Sequence, residues 1–230
     1  MLTTIASTIS LAILAISAIF AQPVAPAAEL SPEEAADLAY MREEEKVAQD
    51  VYLAFYDQWN LPVFRNIAAA EATHMAAVGT LLDRYGLPDP ATGNPAGVFD
   101  DPDLQALYDD LVAQGSESLA AALYVGTIIE EVDILDLEES IARTDKADIQ
   151  LVYQNLLRGS GNHLRAFAGQ WERVTGDTFA PQYLDQAAYE AIMAGQSGNG
   201  RGAGGGRRGG QAGQGGQGGQ GGRGGRGGNW

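Results

Sequence analysis

The chain of 230 residues contains no cysteine and only two histidines, His74 and His163. The absence of cysteine excludes disulfide bonds, a lipoprotein cysteine and every metal site that uses thiolate ligands. A folded domain in this chain must therefore be stable through its apolar core alone, and a hydrophobic content of 45% is sufficient for such a core. Any transition-metal site must use imidazole and carboxylate ligands.

Acidic residues are absent after Glu190, whereas five arginines follow it. The residues beyond Glu190 carry a charge of +5 and the rest of the chain carries −21, which together give the net charge of −16. An acidic body repels nucleic acids and anionic lipid surfaces, so we expect cations and no nucleic acid as partners. The Gly/Arg/Gln-rich residues 195–230 are predicted to be a disordered tail, and anionic polymers are the partners that its arginines favour.

Charged residues are also absent from the first 21 residues, which are apolar through Phe20 and have small residues at Ala18 and Ala21. This pattern predicts a signal peptide over residues 1–21 and a linker over 22–30. We expect no stable membrane span after cleavage, because the apolar run is short, and we expect a periplasmic or extracellular protein. An uncleaved anchor stays an alternative, since no Lys or Arg precedes the apolar run.

Sustained strand-type alternation is absent from the sequence, and five segments have the periodicity of helices instead. The predicted bounds of the first four are about 31–58, 62–85, 101–114 and 116–143. The fifth follows a turn at 144–145 and extends to about 174. Two pairs of long helices separated by a long connection predict an all-α four-helix bundle with one crossover. The crossover would be residues 86–115 and contain the short helix, and the helical domain would span residues 31–194.

Four of these segments carry an acid, a histidine or both within an apolar stripe. The residues are Glu45 on the first, Glu71 and His74 on the second, Glu130 and Asp133 on the fourth, and His163 on the last. A lone residue of this kind is commonly a hydrogen-bonded core histidine or a solvated glutamate. A carboxylate inside a bundle is costly unless it is paired or bound to a metal, and all these residues fall near mid-bundle. Together they predict a shared cation site.

Several motifs resemble known families. Glu45-x-x-Ala48-x-x-x-Tyr52 and Glu71-x-x-His74 resemble the first half of the ferritin-like di-iron proteins, of which rubrerythrins are the best-known members. The phrases MREEEKVAQDVY, VFRNIAAAEATHM, GTIIEEVDILDLEE and LLRGSGNHLRAF resemble more specifically the family called domain of unknown function 2202, over about residues 35–172. The resemblance implies a ferritin-like four-helix bundle that holds two iron ions, with manganese or zinc as the alternatives.

The resemblance also implies a role for each candidate residue. These roles are Glu71 as bridge, Glu45 and Glu130 as terminal or bridging ligands, His74 and His163 as one ligand for each metal, Asp133 as auxiliary ligand, and Tyr52 as hydrogen-bond partner of a ligand carboxylate. Glu44 and Glu131 are the alternatives if the helix phase is off by one residue.

The chain departs from the ferritin-like pattern at Gly159-Ser160-Gly161, where Ser160 occupies the position of a second ligand carboxylate. Two glycines in a helix interior cost roughly 1 kcal/mol each relative to alanine. Our hypothesis is that these small residues leave room for a carboxylate from another helix, such as Asp133, or for water or peroxide at an open metal position. Close helix packing or a kink is the alternative.

The function that the resemblance implies is that of a di-iron oxidoreductase of the ferroxidase or peroxidase type, and the predicted signal peptide makes it a secreted protein. Its partners would be metal ions and oxygen or peroxide, and a homodimer is compatible with this interpretation. One alternative is a non-catalytic bundle that scavenges metal or acts through its surface and tail. Another is a protein that has kept the fold and lost the metal.

Overall fold

The structure, a computed structural model, describes residues 29–195. The predicted signal peptide, nearly all of the linker and nearly all of the tail lie outside the described residues. Within residues 29–195 the chain forms helices and no strand, and the prediction of an all-α protein is confirmed. The helices are α1 (Pro32–Trp59), α2 (Pro62–Tyr85), α3 (Pro102–Gly115), α4 (Leu119–Arg143), α5 (Ala147–Thr175) and α6 (Gln186–Met193).

The long helices pack as two pairs, α1 with α2 and α4 with α5, and a short connection joins the two helices of each pair. The crossover between the pairs contains α3, which packs against α1 and α4, and α6 packs against α5. This is the predicted four-helix bundle with a short extra helix in its crossover. Among the described residues, no helix is long and apolar enough to cross a membrane.

Serine side chains fix the start of two long helices. Ser31 forms a capping box with Glu34, in which the Ser31 hydroxyl accepts from the Glu34 N–H and the Glu34 carboxylate accepts from the Ser31 N–H. The predicted start of the next long helix at residue 116 is wrong, because Ser116 is the C-cap of α3. Ser118 is the N-cap of α4 instead, and its hydroxyl accepts from the Ala121 N–H.

The helix α6 was not predicted from the sequence, because its eight residues contain too few turns for a clear periodicity. Tyr189 and Ile192 are buried on the side that faces the bundle. The Glu131 carboxylate holds the segment before α6, since its Oε2 accepts hydrogen bonds of 2.7 to 3.0 Å from the backbone N–H groups of residues 182, 183 and 184. Glu131 thus holds this segment, and it is in neither group of acids and histidines that could hold a metal ion.

Two apolar clusters fill the bundle interior, and a polar layer separates them. The boundary between the clusters falls between Met41 and Val47 on α1, Ala68 and Val78 on α2, and Ile129 and Ile134 on α4. The candidate acids and His74 all lie inside these three intervals. On α5, His163 lies between Leu157 and Leu164, which belong to the same cluster. Apolar packing on both sides therefore fixes the level of the polar side chains on α1, α2 and α4.

Candidate metal centre

Glu71 lies at the centre of the polar layer, between the two imidazole rings. Its Oε2 is 2.7 Å from His74 Nδ1, and its Oε1 is 2.8 Å from His163 Nδ1. Glu71 Oε1 and His163 Nδ1 are close enough for a hydrogen bond but do not have the geometry of one. Neither atom has a hydrogen-bond partner among the described residues. Buried polar atoms are rarely left in this state. Two unpaired ligand atoms that converge in this way have the arrangement of donors that share a cation.

Two further acids complete a pair of three-residue groups around Glu71. Glu45 Oε2 is 3.2 Å from His74 Nδ1, and Glu130 Oε2 is 3.5 Å from His163 Nδ1. In each group, Glu45/Glu71/His74 and Glu71/Glu130/His163, the ligand atoms lie within 4.8 Å of one another. The two imidazole rings are stacked with their centroids 5.6 Å apart. The groups are thus two adjacent arrangements that could each hold a metal ion, and they share the carboxylate of Glu71.

The helices explain this convergence. Glu71 and His74 stand three residues apart on α2, so both side chains project from the same face of one helical turn. Glu45, Glu130 and His163 come from α1, α4 and α5 respectively. Each of the three glutamates is only 2% exposed, so their charges are almost completely removed from water.

The electrostatics of the layer show a strong excess of buried acid. Burial raises the pKa of Glu45 well above its usual value, with Asp133 and Glu71 adding to the shift, and burial also raises the pKa of Glu130. Burial works in the same direction at Glu71, but the contacts with His163 and His74 outweigh it and lower the pKa to about 2. A cation in the layer would relieve the repulsion among these carboxyl groups.

Tyr52 supports the centre from α1. Its hydroxyl donates a 2.6 Å hydrogen bond to Glu130 Oε1, and its ring packs against Phe167 with the centroids 4.9 Å apart. Both Tyr52 and Phe167 are completely buried. The hydrogen bond leaves Glu130 Oε2 as the oxygen that faces His163, so Tyr52 orients the carboxylate of Glu130.

The Tyr52→Phe substitution is expected to lower the free energy of unfolding of the metal-free protein by about 2 kcal/mol, because Glu130 Oε1 loses a buried charge-assisted hydrogen bond. Urea denaturation followed by circular dichroism measures this change. Tyr153→Phe is the matched control, since Tyr153 is 1% exposed and its hydroxyl has no hydrogen-bond partner among the described residues. Equal effects of the two substitutions would show that the hydrogen bond to Glu130 contributes nothing.

Asp133 lies beside the two groups but belongs to neither. Its Oδ2 accepts a hydrogen bond from the Ser160 hydroxyl, while its Oδ1 has no partner among the described residues. Burial, together with the charge of Glu130, raises the pKa of Asp133 to about 8. The small side chain of Ser160 therefore accommodates a carboxylate from another helix, as our hypothesis states, and this carboxylate is the neighbour of the centre rather than part of the two groups.

Gly159 accommodates the imidazole ring of His74. A Cβ atom at Gly159 would lie 2.5 Å from both Cε1 and Nε2 of that ring, a separation that real Cβ atoms do not show. α5 runs without a break through Gly159, so the glycine does not end the helix. The sequence indicated a need for space at this stretch, but it did not indicate that the imidazole of His74 from α2 fills the space.

A family model described as an uncharacterized protein domain, DUF2202, matches residues 34–196. The chain belongs to the DUF2202 family. An uncharacterized protein of Methanocaldococcus jannaschii, MJ0754, is 46% identical to it over 175 residues, which cover 76% of this chain and 94% of that protein. The crystal structure of hypothetical protein MJ0754 from Methanococcus jannaschii superposes with a TM-score of 0.72, covering 75% of this chain and 98% of the other.

The match to the DUF2202 family includes every residue of the two three-residue groups. The remaining alternative from the sequence, Glu44, is also buried in this DUF2202 protein, but it lines a cavity and is in neither group. The helix phase that the sequence predicts for Glu45 therefore agrees with the arrangement of the two groups.

Proposed function

We propose that this DUF2202 protein is an exported ferritin-like protein that binds two iron ions and acts as an oxidoreductase of the ferroxidase or peroxidase type. The observation that carries the proposal is the position of Glu71, whose two carboxylate oxygens each face the Nδ1 atom of a different histidine at 2.7 and 2.8 Å. A carboxylate that bridges two metals needs this arrangement.

The donor set fits iron. Three carboxylates and two imidazoles without thiolate suit iron or manganese, with zinc as a further candidate. His74 with Glu45 would hold one ion, His163 with Glu130 would hold the other, and Glu71 would be shared. The unpaired atoms Glu45 Oε1 and Glu71 Oε1 are the buried acceptors that a cation would satisfy.

If two ferrous ions were bound, their oxidation to ferric iron would supply two electrons. With two protons, these would reduce one peroxide to two waters or one oxygen molecule to peroxide. The protein holds the ligands in place. Tyr52 orients Glu130, Gly159 leaves room for the ring of His74, and Ser160 positions the neighbouring Asp133. The two apolar clusters on either side of the layer limit the access of water.

Export is part of the proposal and is supported by the uncharged, apolar first 21 residues alone. Fractionation of cells that express the full chain, followed by N-terminal sequencing, tests it. We expect the mature protein outside the cytoplasm with its N-terminus at Gln22. A full-length protein in the cytoplasmic fraction would contradict export without affecting the argument for the metal centre.

The experiment that tests the oxidoreductase proposal adds ferrous iron to the metal-free protein without air and then adds peroxide or oxygen. We expect two ferrous ions to bind, and we expect the rate of ferric-iron formation with excess ferrous iron to exceed the rate in buffer. Binding without faster oxidation would favour the metal-scavenging alternative. Neither binding nor oxidation by a folded protein would favour a bundle that has kept only the fold.

A further inference from the structure

Four acids stand three residues apart on α4, and the first of them is the candidate ligand Glu130. The α4 acid row consists of Glu130, Asp133, Asp136 and Glu139. Each step of three residues rises about 4.5 Å and falls about 60° short of a full turn, because an α-helix has 3.6 residues per turn. The row therefore winds from the buried face of α4 towards its solvent face as it leaves the candidate metal centre.

The exposure of the α4 acid row increases in the same order. Glu130 is 2% exposed and Asp133 is 7% exposed. Asp136 is partly buried, and the side chain of Glu139 is 67% exposed. A row of carboxylates thus connects the candidate metal centre with the surface of the bundle.

Two buried oxygen atoms beside this row lack hydrogen-bond partners. Oδ1 of Asp133 has no partner within residues 29–195, and neither has Oε2 of Glu44 on α1, a residue that is 8% exposed. Burial raises the pKa of Glu44, and the charges of Asp133 and Asp136 add to the shift, so Glu44 lies close to both. Buried polar atoms rarely stay unsatisfied. A cation that moves along the row meets carboxylate oxygens that no donor of the described residues occupies.

Arg143 lies at the outer end of the α4 acid row. Its guanidinium group forms ion pairs with Asp37 and Glu139, and it donates a hydrogen bond to the Ser140 hydroxyl. The side chain of Arg143 is 39% exposed, so water screens these ion pairs and weakens them. The outermost carboxylates are therefore held by an arginine with which a cation from solution can compete, and not by apolar packing.

The opposite side of the bundle is less favourable for cations. His74 lies there, where α2 contacts Gly159 of α5, and its side chain is 13% exposed. α2 and α5 together have four acids and five basic residues, whereas α1 and α4 together have 14 acids and three basic residues. Because a negative surface concentrates cations, the side of the bundle formed by α1 and α4 is the favoured approach.

We propose that the α4 acid row, together with Glu44, is the path along which divalent cations enter and leave the candidate metal centre. This inference rests on the proposed metal centre and adds the way in which the centre is filled. Glu44 and Asp136 are in neither three-residue group, so they act on the movement of the ions and not as ligands of the bound ions. A residue of this kind lowers the barrier in both directions and leaves the affinity unchanged.

The test measures binding and release of Co²⁺ by the metal-free, mature full-length protein. Co²⁺ takes imidazole and carboxylate ligands, and its visible absorption follows binding in a stopped-flow experiment. Release is followed after the loaded protein is mixed with excess EDTA. For Asp136→Asn we expect both rate constants to fall about tenfold, while Kd stays within about twofold and two ions still bind.

Two further variants separate the path from the general charge of the protein. Glu138→Gln is the matched control, because it removes one negative charge from an exposed position of the same helix. It is expected to leave both rate constants unchanged at physiological salt, where distant surface charges are screened. Arg143→Gln frees the outermost carboxylates and is expected to raise both rate constants about threefold.

The outcomes distinguish the path from the metal centre. Unchanged rate constants in a folded Asp136→Asn protein that binds two ions would overturn the path and leave the metal centre unaffected. A change in only one of the two rate constants would also overturn the path, because a path acts in both directions. A folded wild-type protein that binds no Co²⁺ would overturn the centre and the path together.

Discussion

Glu71→Gln is expected to abolish the paired metal site, and it has the largest effect that we predict. Glu71 is the only residue that belongs to both three-residue groups. Glutamine has nearly the same shape but replaces one carboxylate oxygen with an amide nitrogen, which is a donor and not a metal ligand. The metal content measured by elemental analysis is expected to fall from two ions per chain to one or none, with about 100-fold or greater loss of affinity at the disrupted position.

The control for this substitution is Glu138→Gln, which removes one carboxylate from an exposed position on α4. It is expected to keep two ions per chain. Circular dichroism of both variants without metal establishes that the bundle is folded. A folded Glu71→Gln protein that still binds two ions with unchanged affinity would contradict the role of Glu71 as the shared ligand.

Gly159→Ala is expected to remove one of the two ions. The added Cβ would lie 2.5 Å from Cε1 and Nε2 of His74, so the ring has to move, and its Nδ1 leaves the positions near Glu71 and Glu45. The group that contains His163 does not include this ring and is expected to keep its ion. Titration with ferrous iron should therefore reach one equivalent per chain instead of two.

Helix propensity separates this effect from unfolding of α5. Alanine is favoured over glycine in a helix interior by roughly 1 kcal/mol, so the substitution strengthens the helix even as it displaces the ring. Gly169→Ala on the same helix is the matched control, because no atom lies within 4 Å of the added Cβ. It is expected to raise the free energy of unfolding and to keep both ions. Two tightly bound ions in Gly159→Ala would show that the ring does not need this space.

The long helices were predictable because each combines a clear 3.6-residue period with a recognisable start, such as Ser31-Pro32 or Leu61-Pro62. The predicted start of α4 at residue 116 lies three residues before the observed start at Leu119. Two serines precede the helix, and the sequence does not show that Ser116 ends α3. The short α6 was not predictable, because its position depends on contacts with the bundle and on the carboxylate of Glu131.

The candidate site was predictable to a different degree in each part. The neighbourhood of Glu71 and His74 follows from their spacing on one helix. Their approach to His163 depends on the relative level of α2 and α5, which the loops and the two apolar clusters determine and no local pattern encodes. For the same reason the sequence did not reveal that Gly159 faces His74, or that Glu44 and side chains of α3 line the same cavity.

The most direct test of the account is a crystal structure of the protein grown with ferrous iron, with anomalous diffraction measured at the iron edge. The account predicts two iron peaks in the polar layer, one beside Nδ1 of His74 and one beside Nδ1 of His163, with the carboxylate of Glu71 between them. A folded bundle with iron supplied but no peak in this layer, or with a single ion away from both imidazoles, would contradict it.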